Sequence, residues 1–275
     1  MRTRRMGTGY WLAVILALLA CMSSVRAEVP KVLRVCGDIN EFPPFTYAVR
    51  DAARQLTTVA GYNVDYLERI LQASGRRATY SLLPWKRCIA LAANGHFDLV
   101  LDVVKAAERE RYFMFPPVLY TLTPIAIFSS ARPVPELNDP KDLNAWKVCA
   151  PLGWDFTLAG ITTPESSSHP TSLEAALAML RIGRCDALLF EREVVDGFRQ
   201  RDGSNPISER EFTFKPLRWR SKSEFYVVVS RALPYRDELL TLLDRGIAEQ
   251  KKSGAAQRLL RKHLLKDGGP APGTQ

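Results

Sequence analysis

Few residues in this chain have types and spacing suited to covalent chemistry. Its three histidines, His96, His169 and His263, lie far apart, and no Ser/His/Asp arrangement or phosphate-cradling glycine loop is present. Cys36, Cys88, Cys149 and Cys185 lack CxxC spacing, which argues against structural zinc. What remains suits holding a molecule. Residues 107–120 read AERERYFMFPPVLY, alternating charges running into aromatics and then two prolines. One reading is a solvated helix end with Arg109 paired to Glu108 or Glu110. The other turns Arg109 toward a ligand, while Pro116 and Pro117 lead the chain out of one lobe into another. Bidentate recognition of a carboxylate favours arginine for such a task.

The elements that position these groups are legible in the patterning. Residues 1–27 read as a targeting segment: Arg2, Arg4 and Arg5 precede a short apolar run, and Val25-Arg26-Ala27 offers a cleavage site. Cys21 leaves a lipoprotein signal as the alternative. Without residues 1–27 the excess of basic residues falls from nine to five, with no basic stripe, so nucleic-acid binding is not expected. The product is expected to be periplasmic. An even count of four cysteines in an exported chain suggests disulfides.

The chain carries an internal echo. GHFDLVL at 95–101 matches GRCDALL at 183–189 as G-x-x-D before an apolar run, each after a helical pattern. Such runs read as strands buried on both faces of parallel sheets. Strands are expected at 33–35, 79–83, 147–150 and 225–229. Helices are expected where Val64, Leu67, Ile70 and Leu71, then residues 86–94, then Leu173 to Leu180, then Leu239 to Ile247, then 256–265 recur at helical spacing. Alternating β and α elements imply α/β layers, and two such units imply two lobes. The tail GGPAPGTQ at 268–275 is expected to be disordered.

These segments, in order, resemble the periplasmic solute-binding proteins of ABC importers, polar amino acid type. LRVCGDINEFPPF at 33–45 resembles their opening strand and loop, GYNVDYLERIL at 61–71 their first helix, and 95–101 their GxxD strand. Residues 108–120 resemble the segment leading to their first crossover, and 225–261 their closing strand and two helices. The resemblance implies a type 2 periplasmic binding fold: two lobes, each a mostly parallel sheet flanked by helices, with ligand in the cleft between them. It divides the chain into a signal peptide at 1–27, first-lobe segments at 28–122 and 231–266, a second lobe at 123–230 and a tail at 267–275.

The resemblance implies roles residue by residue. Arg109 falls at the arginine that grips a ligand carboxylate; Phe42 and Trp85 fall at positions that cover the ligand, with Arg87 reaching the same cleft. Glu191 falls where the family has an acid, commonly Asp, that accepts from a ligand amine, and Gly153 opens a loop that offers backbone amides, followed here by Trp154 and Asp155. Lys105 and Ala106 stand where Ser or Thr is common before the arginine, and Trp154 and Asp155 follow Gly153 where Thr is common, so two carboxylate-binding hydroxyls are missing, and Asp102, Asp155 and Glu191 together favour a cationic ligand. Phe45, Tyr112, Phe113 and Phe115 read as packing groups. The expected function is capture of a small polar solute, an amino acid or related amine or carboxylate, for delivery to a membrane-embedded ABC permease. The alternatives are a receptor or accessory protein for a membrane sensor or periplasmic enzyme, or an enzyme on the same fold. No turnover, cofactor or metal is expected, and the chain is expected to be monomeric. Strand ends and helix starts meet at one edge of a parallel sheet, so one disulfide per lobe is expected, Cys36–Cys88 and Cys149–Cys185.

Overall fold

The computed structural model describes residues 27–134, 136–151, 160–161, 168–202, 207–208, 210–220 and 222–264. The chain begins with β1 (Val32–Asp38), then a hairpin of β2 (Tyr47–Arg50) and β3 (Leu56–Ala60). Helix α1 (Tyr62–Ala73) follows, with Val64, Leu67, Ile70 and Leu71 all buried, as their spacing predicts. Gly61 starts it at φ 125°, where a side-chain Cβ would lie 2.3 Å from the Phe45 carbonyl oxygen. Only glycine satisfies both demands.

Next come β4 (Arg77–Leu83), α2 (Trp85–Ala93), β5 (Leu99–Val104), the short α3 (Ala107–Glu110), β6 (Phe113–Met114) and β7 (Tyr120–Leu122). The chain then enters a second sheet through β8 (Pro124–Ser129), β9 (Val148–Cys149), α4 (Leu173–Arg181), β10 (Ala187–Glu191), α5 (Arg192–Asp202) and β11 (Phe212–Pro216). It returns through β12 (Ser223–Ser230) and closes with α6 (Arg236–Lys252) and α7 (Ala255–Leu264).

The first sheet has the order β4-β1-β5-β12-β6, with β7 also on β12; the second has the order β11-β8-β10-β9. Parallel pairing joins β1 to β4 and β5, and β9 to β10. The two strands that carry the chain across, β8 and β12, run antiparallel to their neighbours. The boundary expected at residue 230 falls one strand too late. Strand β12 pairs with β5, β6 and β7, so it belongs to the first lobe, and the return crossing precedes Ser223. Its near-continuous burial looks the same in either sheet, so the burial pattern does not correct the boundary drawn from the resemblance.

The internal echo is a structural device. Asp98, before β5, accepts from the Arg34 backbone N–H at 2.7 Å in neighbouring β1; Asp186, before β10, accepts from the Lys147 N–H at 3.0 Å ahead of neighbouring β9. Each aspartate ties the start of one parallel strand to the next. Asp98 is buried and also takes the Arg34 guanidinium and the Tyr235 hydroxyl, which fastens the entrance to α6. The disulfides Cys36–Cys88 and Cys149–Cys185 are both formed, each with a Cα–Cα distance of 5.9 Å, one in each lobe. Among the described residues no helix is long and apolar enough to cross a membrane. The segment expected to be a signal peptide, apart from its last residue, and the expected tail lie outside the described residues.

Candidate functional site

Strands β4, β1 and β5 run parallel, so their C-terminal ends share one edge of the first sheet. Ligands of open α/β sheets bind at such edges. The sequence places Asp38 at the end of β1, Trp85 two residues after β4, Asp102 late in β5 and Arg109 in α3 just beyond it. Arg109 is held in place. Its guanidinium donates to the Val104 carbonyl at 2.7 Å and lies 5.6 Å from the centre of the Trp85 ring. Glu110, one of its two expected ion-pair partners, is bonded to Lys105 at 2.9 Å. The guanidinium is therefore braced by backbone and by an aromatic face, a setting that suits its donor fork to meeting an anion.

Asp102 owes its direction to a bulge. Between the pairs Val103–Tyr226 and Val100–Val228, β5 advances three residues while β12 advances two. The extra residue is accommodated at Asp102, in the left-handed region at φ 57°. Bulges re-aim side chains in this way. The Asp102 carboxylate accepts from the Tyr120 hydroxyl and from Asn63 Nδ2 at 2.6 Å, and the Thr46 hydroxyl lies close enough to favour its charge. Burial nevertheless pushes its pKa up to about 6, with nearby Asp38 adding to the rise and these three groups opposing it. Asn63 is fully buried, and its Oδ1 has no partner among the described residues. Tyr120 is itself clamped between Phe45 and Phe225, stacked at 4.2 and 5.3 Å.

Glu191 ends β10 in the second lobe, opposite Pro124, the first residue of β8. It is 1% exposed, lies beside Ser223 and leaves Oε2 without a partner among the described residues. Burial pushes its pKa up to about 8, and Glu193 adds to the rise; Ser223, Arg220 and Lys222 act against it. The same region pins the outgoing crossing. Glu193 accepts from the Thr123 N–H and hydroxyl, both at 2.8 Å, and Lys222 Nζ donates to that hydroxyl at 2.8 Å.

Phe42 spans the two lobes: its ring lies 5.3 Å from Phe225 in the first and 6.5 Å from Phe190 in the second. Phe45 and Phe113 are core, as expected, but Tyr112 is 47% exposed and packs little. The Arg231 N–H bonds its carbonyl instead, which leaves the ring outside. Arg87 is exposed on α2. Gly153, Trp154 and Asp155 lie outside the described residues. Thus Arg109, Trp85 and Asp102 share the first-lobe edge, while Glu191 sits in the second lobe beside the crossings. Sequence reasoning missed Asp38, Asn63, Tyr120 and Ser223. The Asp and Asn were visible within the 33–45 and 61–71 motifs, but nothing local announced the bulge that turns Asp102 toward them.

Two α/β lobes joined by two crossings, with polar and aromatic groups at their facing edges, define the class of two-lobed binding proteins. Residues 33–266 match the family described as bacterial extracellular solute-binding proteins, family 3, and the chain belongs to that family. A search of curated proteins gives no match. Among solved structures, the substrate-binding protein of an amino acid ABC transporter superposes with a TM-score of 0.69 at 19% identity, covering 86% of this chain and 100% of that one. A histidine kinase sensor domain with similarity to periplasmic binding proteins gives 0.68 at 20% identity, covering 86% and 96%. An amino acid ABC transporter substrate-binding protein from Streptococcus pneumoniae, bound to L-arginine, gives 0.67 at 20% identity, covering 85% and 94%. At these identities the likeness establishes the fold.

Proposed function

We propose that this chain is a periplasmic solute-binding protein that captures a small polar solute, an amino acid or a related amine or carboxylate, between its lobes. The observation that carries the reading is Arg109, braced by the Val104 carbonyl and the Trp85 ring at the C-terminal edge of the first sheet. A guanidinium fixed in this way is already ordered, and arginine is the side chain suited to bidentate recognition of a carboxylate. Glu191 on the other lobe, with a buried oxygen that has no partner among the described residues, supplies an acceptor for the amine end. A ligand that touches both favours the state in which the lobes meet around it. The protein works as a monomer, performs no turnover, and delivers its solute to an ABC permease. Export by a signal peptide cleaved before Glu28 accompanies this reading.

A second reading has a specific support, the likeness to a histidine kinase sensor domain. In it the closed, loaded protein reports to a membrane sensor. Both readings require the same binding step. A thermal-shift screen against amino acids, polyamines, organic acids and small peptides tests that step. A true ligand at a hundredfold excess over its Kd raises stability by about 2.7 kcal/mol. Mass spectrometry of the hits after incubation tests for turnover, and capture by solubilised permease or sensor separates the two partners.

A further inference from the structure

Gly197 stands in the middle of α5, although glycine is the poorest helix former after proline. Its reason lies across the cleft. A Cβ at this position would stand 2.3 Å from the Pro43 carbonyl oxygen, 2.4 Å from the Pro43 carbonyl carbon and 2.6 Å from Pro44 Cδ. Backbone atoms form the closest of these contacts, so no rotamer change relieves them.

Each side of the contact is rigidly part of its own lobe. The first-lobe loop is fastened to the start of α1: Pro44 and Phe45 accept from the Tyr62 and Asn63 N–H groups at 2.9 and 3.0 Å. Phe42 N–H closes the loop onto the Thr46 carbonyl at 2.6 Å. Helix α5 is rooted in the second lobe by Val194 and Val195, both fully buried. Two more contacts cross between the lobes along the same loop. Asn40 Nδ2 donates to the Thr171 carbonyl at 2.9 Å, and the Phe42 ring meets Phe190. Asn40 is itself oriented by Asp38 Oδ1, at 3.1 Å from its N–H and 3.2 Å from its amide.

We propose that Gly197 sets the closest approach of the two lobes, and so acts as a positioning residue for solute binding. A side chain there wedges α5 off the Pro43 carbonyl, draws Phe190 away from Phe42, and holds Glu191 farther from Arg109. The spacing depends on geometry alone; the effect on affinity rests on the binding function proposed above.

The test uses the mature chain with both disulfides intact, nitroxide-labelled at Arg69→Cys and Ala178→Cys, exposed helix positions in the first and second lobes. Pulsed electron paramagnetic resonance then reads the interlobe distance. Gly197→Ala is expected to lengthen it and Gly197→Leu to lengthen it further. Gly246→Ala is the control, because its Cβ would strike Ile70 Cγ2 at 2.4 Å within the first lobe. It is expected to lower Tm and leave the distance unchanged. L-Arginine is the binding probe. Gly197→Ala is expected to weaken it about tenfold, the loss that follows if the competent state falls to a tenth of its population. Unchanged distances in folded Gly197 variants would overturn the proposal. So would loss of the folded circular-dichroism signal in both of them while Gly246→Ala keeps it, since the contact would then belong to the fold itself. Failure of the parent chain to bind L-arginine counts against the ligand class, while the distance measurement still decides the proposal.

Discussion

Glu191 and Ser223 meet across the junction of the lobes, where the hydroxyl favours the ionised form of the acid. The acid ends the strand that leads into α5, and the hydroxyl opens the strand by which the chain returns to the first sheet. Both are buried, and one Glu191 oxygen has no partner among the described residues. A carboxyl in this position is held mainly as the neutral acid at pH 7, because burial raises its pKa from 4.5 to about 8.

Stability without ligand should therefore fall as pH rises. The folded chain keeps the Glu191 proton where the unfolded chain loses it, so the contribution is fully present below about 4.5 and is lost as pH passes through about 8. The upper limit is roughly 4–5 kcal/mol, since each tenfold gain in proton affinity on folding corresponds to about 1.36 kcal/mol. Asp102, raised to about 6, adds to the decline between about 4 and 6. Glu191→Gln should flatten the profile between pH 6 and 8 in urea titrations. A profile of equal slope in the variant would show that another group is responsible.

Asp102→Asn separates a structural role from a binding one. Its carboxylate gathers Tyr120, Asn63 and Thr46, and the amide keeps the volume while surrendering an acceptor. We expect a loss of about 1–3 kcal/mol from donors left unpaired. Asp102→Gly should keep the backbone of the bulge, since φ 57° suits glycine, but lose the same bonds. Equal stability of both variants and the parent in denaturant titrations would mean that the network contributes nothing.

Reduction tests the two disulfides. Each closes a loop, of 52 and 36 residues by sequence separation, and the chain-entropy account gives roughly 3–4 kcal/mol for each. Because each bridge lies within one lobe, Cys149→Ala/Cys185→Ala should lower Tm yet leave solute affinity nearly unchanged. A large loss of affinity at unchanged Tm would contradict that division.

Much of the fold was legible because its signals are local and periodic. The Val64-Leu67-Ile70-Leu71 stripe, the G-x-x-D echo and both cysteine pairings follow from spacing that a sheet of parallel strands reads directly. Less legible were elements whose partners lie far along the chain. The β2–β3 hairpin is mostly exposed and carries no strong alternation, and β6 and β7 are only two or three residues long. Strand β12 was found but put in the wrong lobe, since burial on both faces does not say which sheet does the burying. The site divides in the same manner. Arg109 and Trp85 were singled out through the resemblance, whereas Asn63 and Tyr120 reach Asp102 only through a bulge that depends on β12, more than a hundred residues away.

The central claim is that Arg109, braced on Val104 and Trp85, holds the anionic end of a solute. Calorimetric titration of the parent chain and Arg109→Ala with the best ligand from the thermal screen tests it most directly. The parent should bind with one site, and Arg109→Ala should lose roughly 2–5 kcal/mol of affinity, as expected when one partner of a buried charge pair is removed, while keeping its circular-dichroism spectrum. Affinity unchanged in a folded Arg109→Ala would contradict the account.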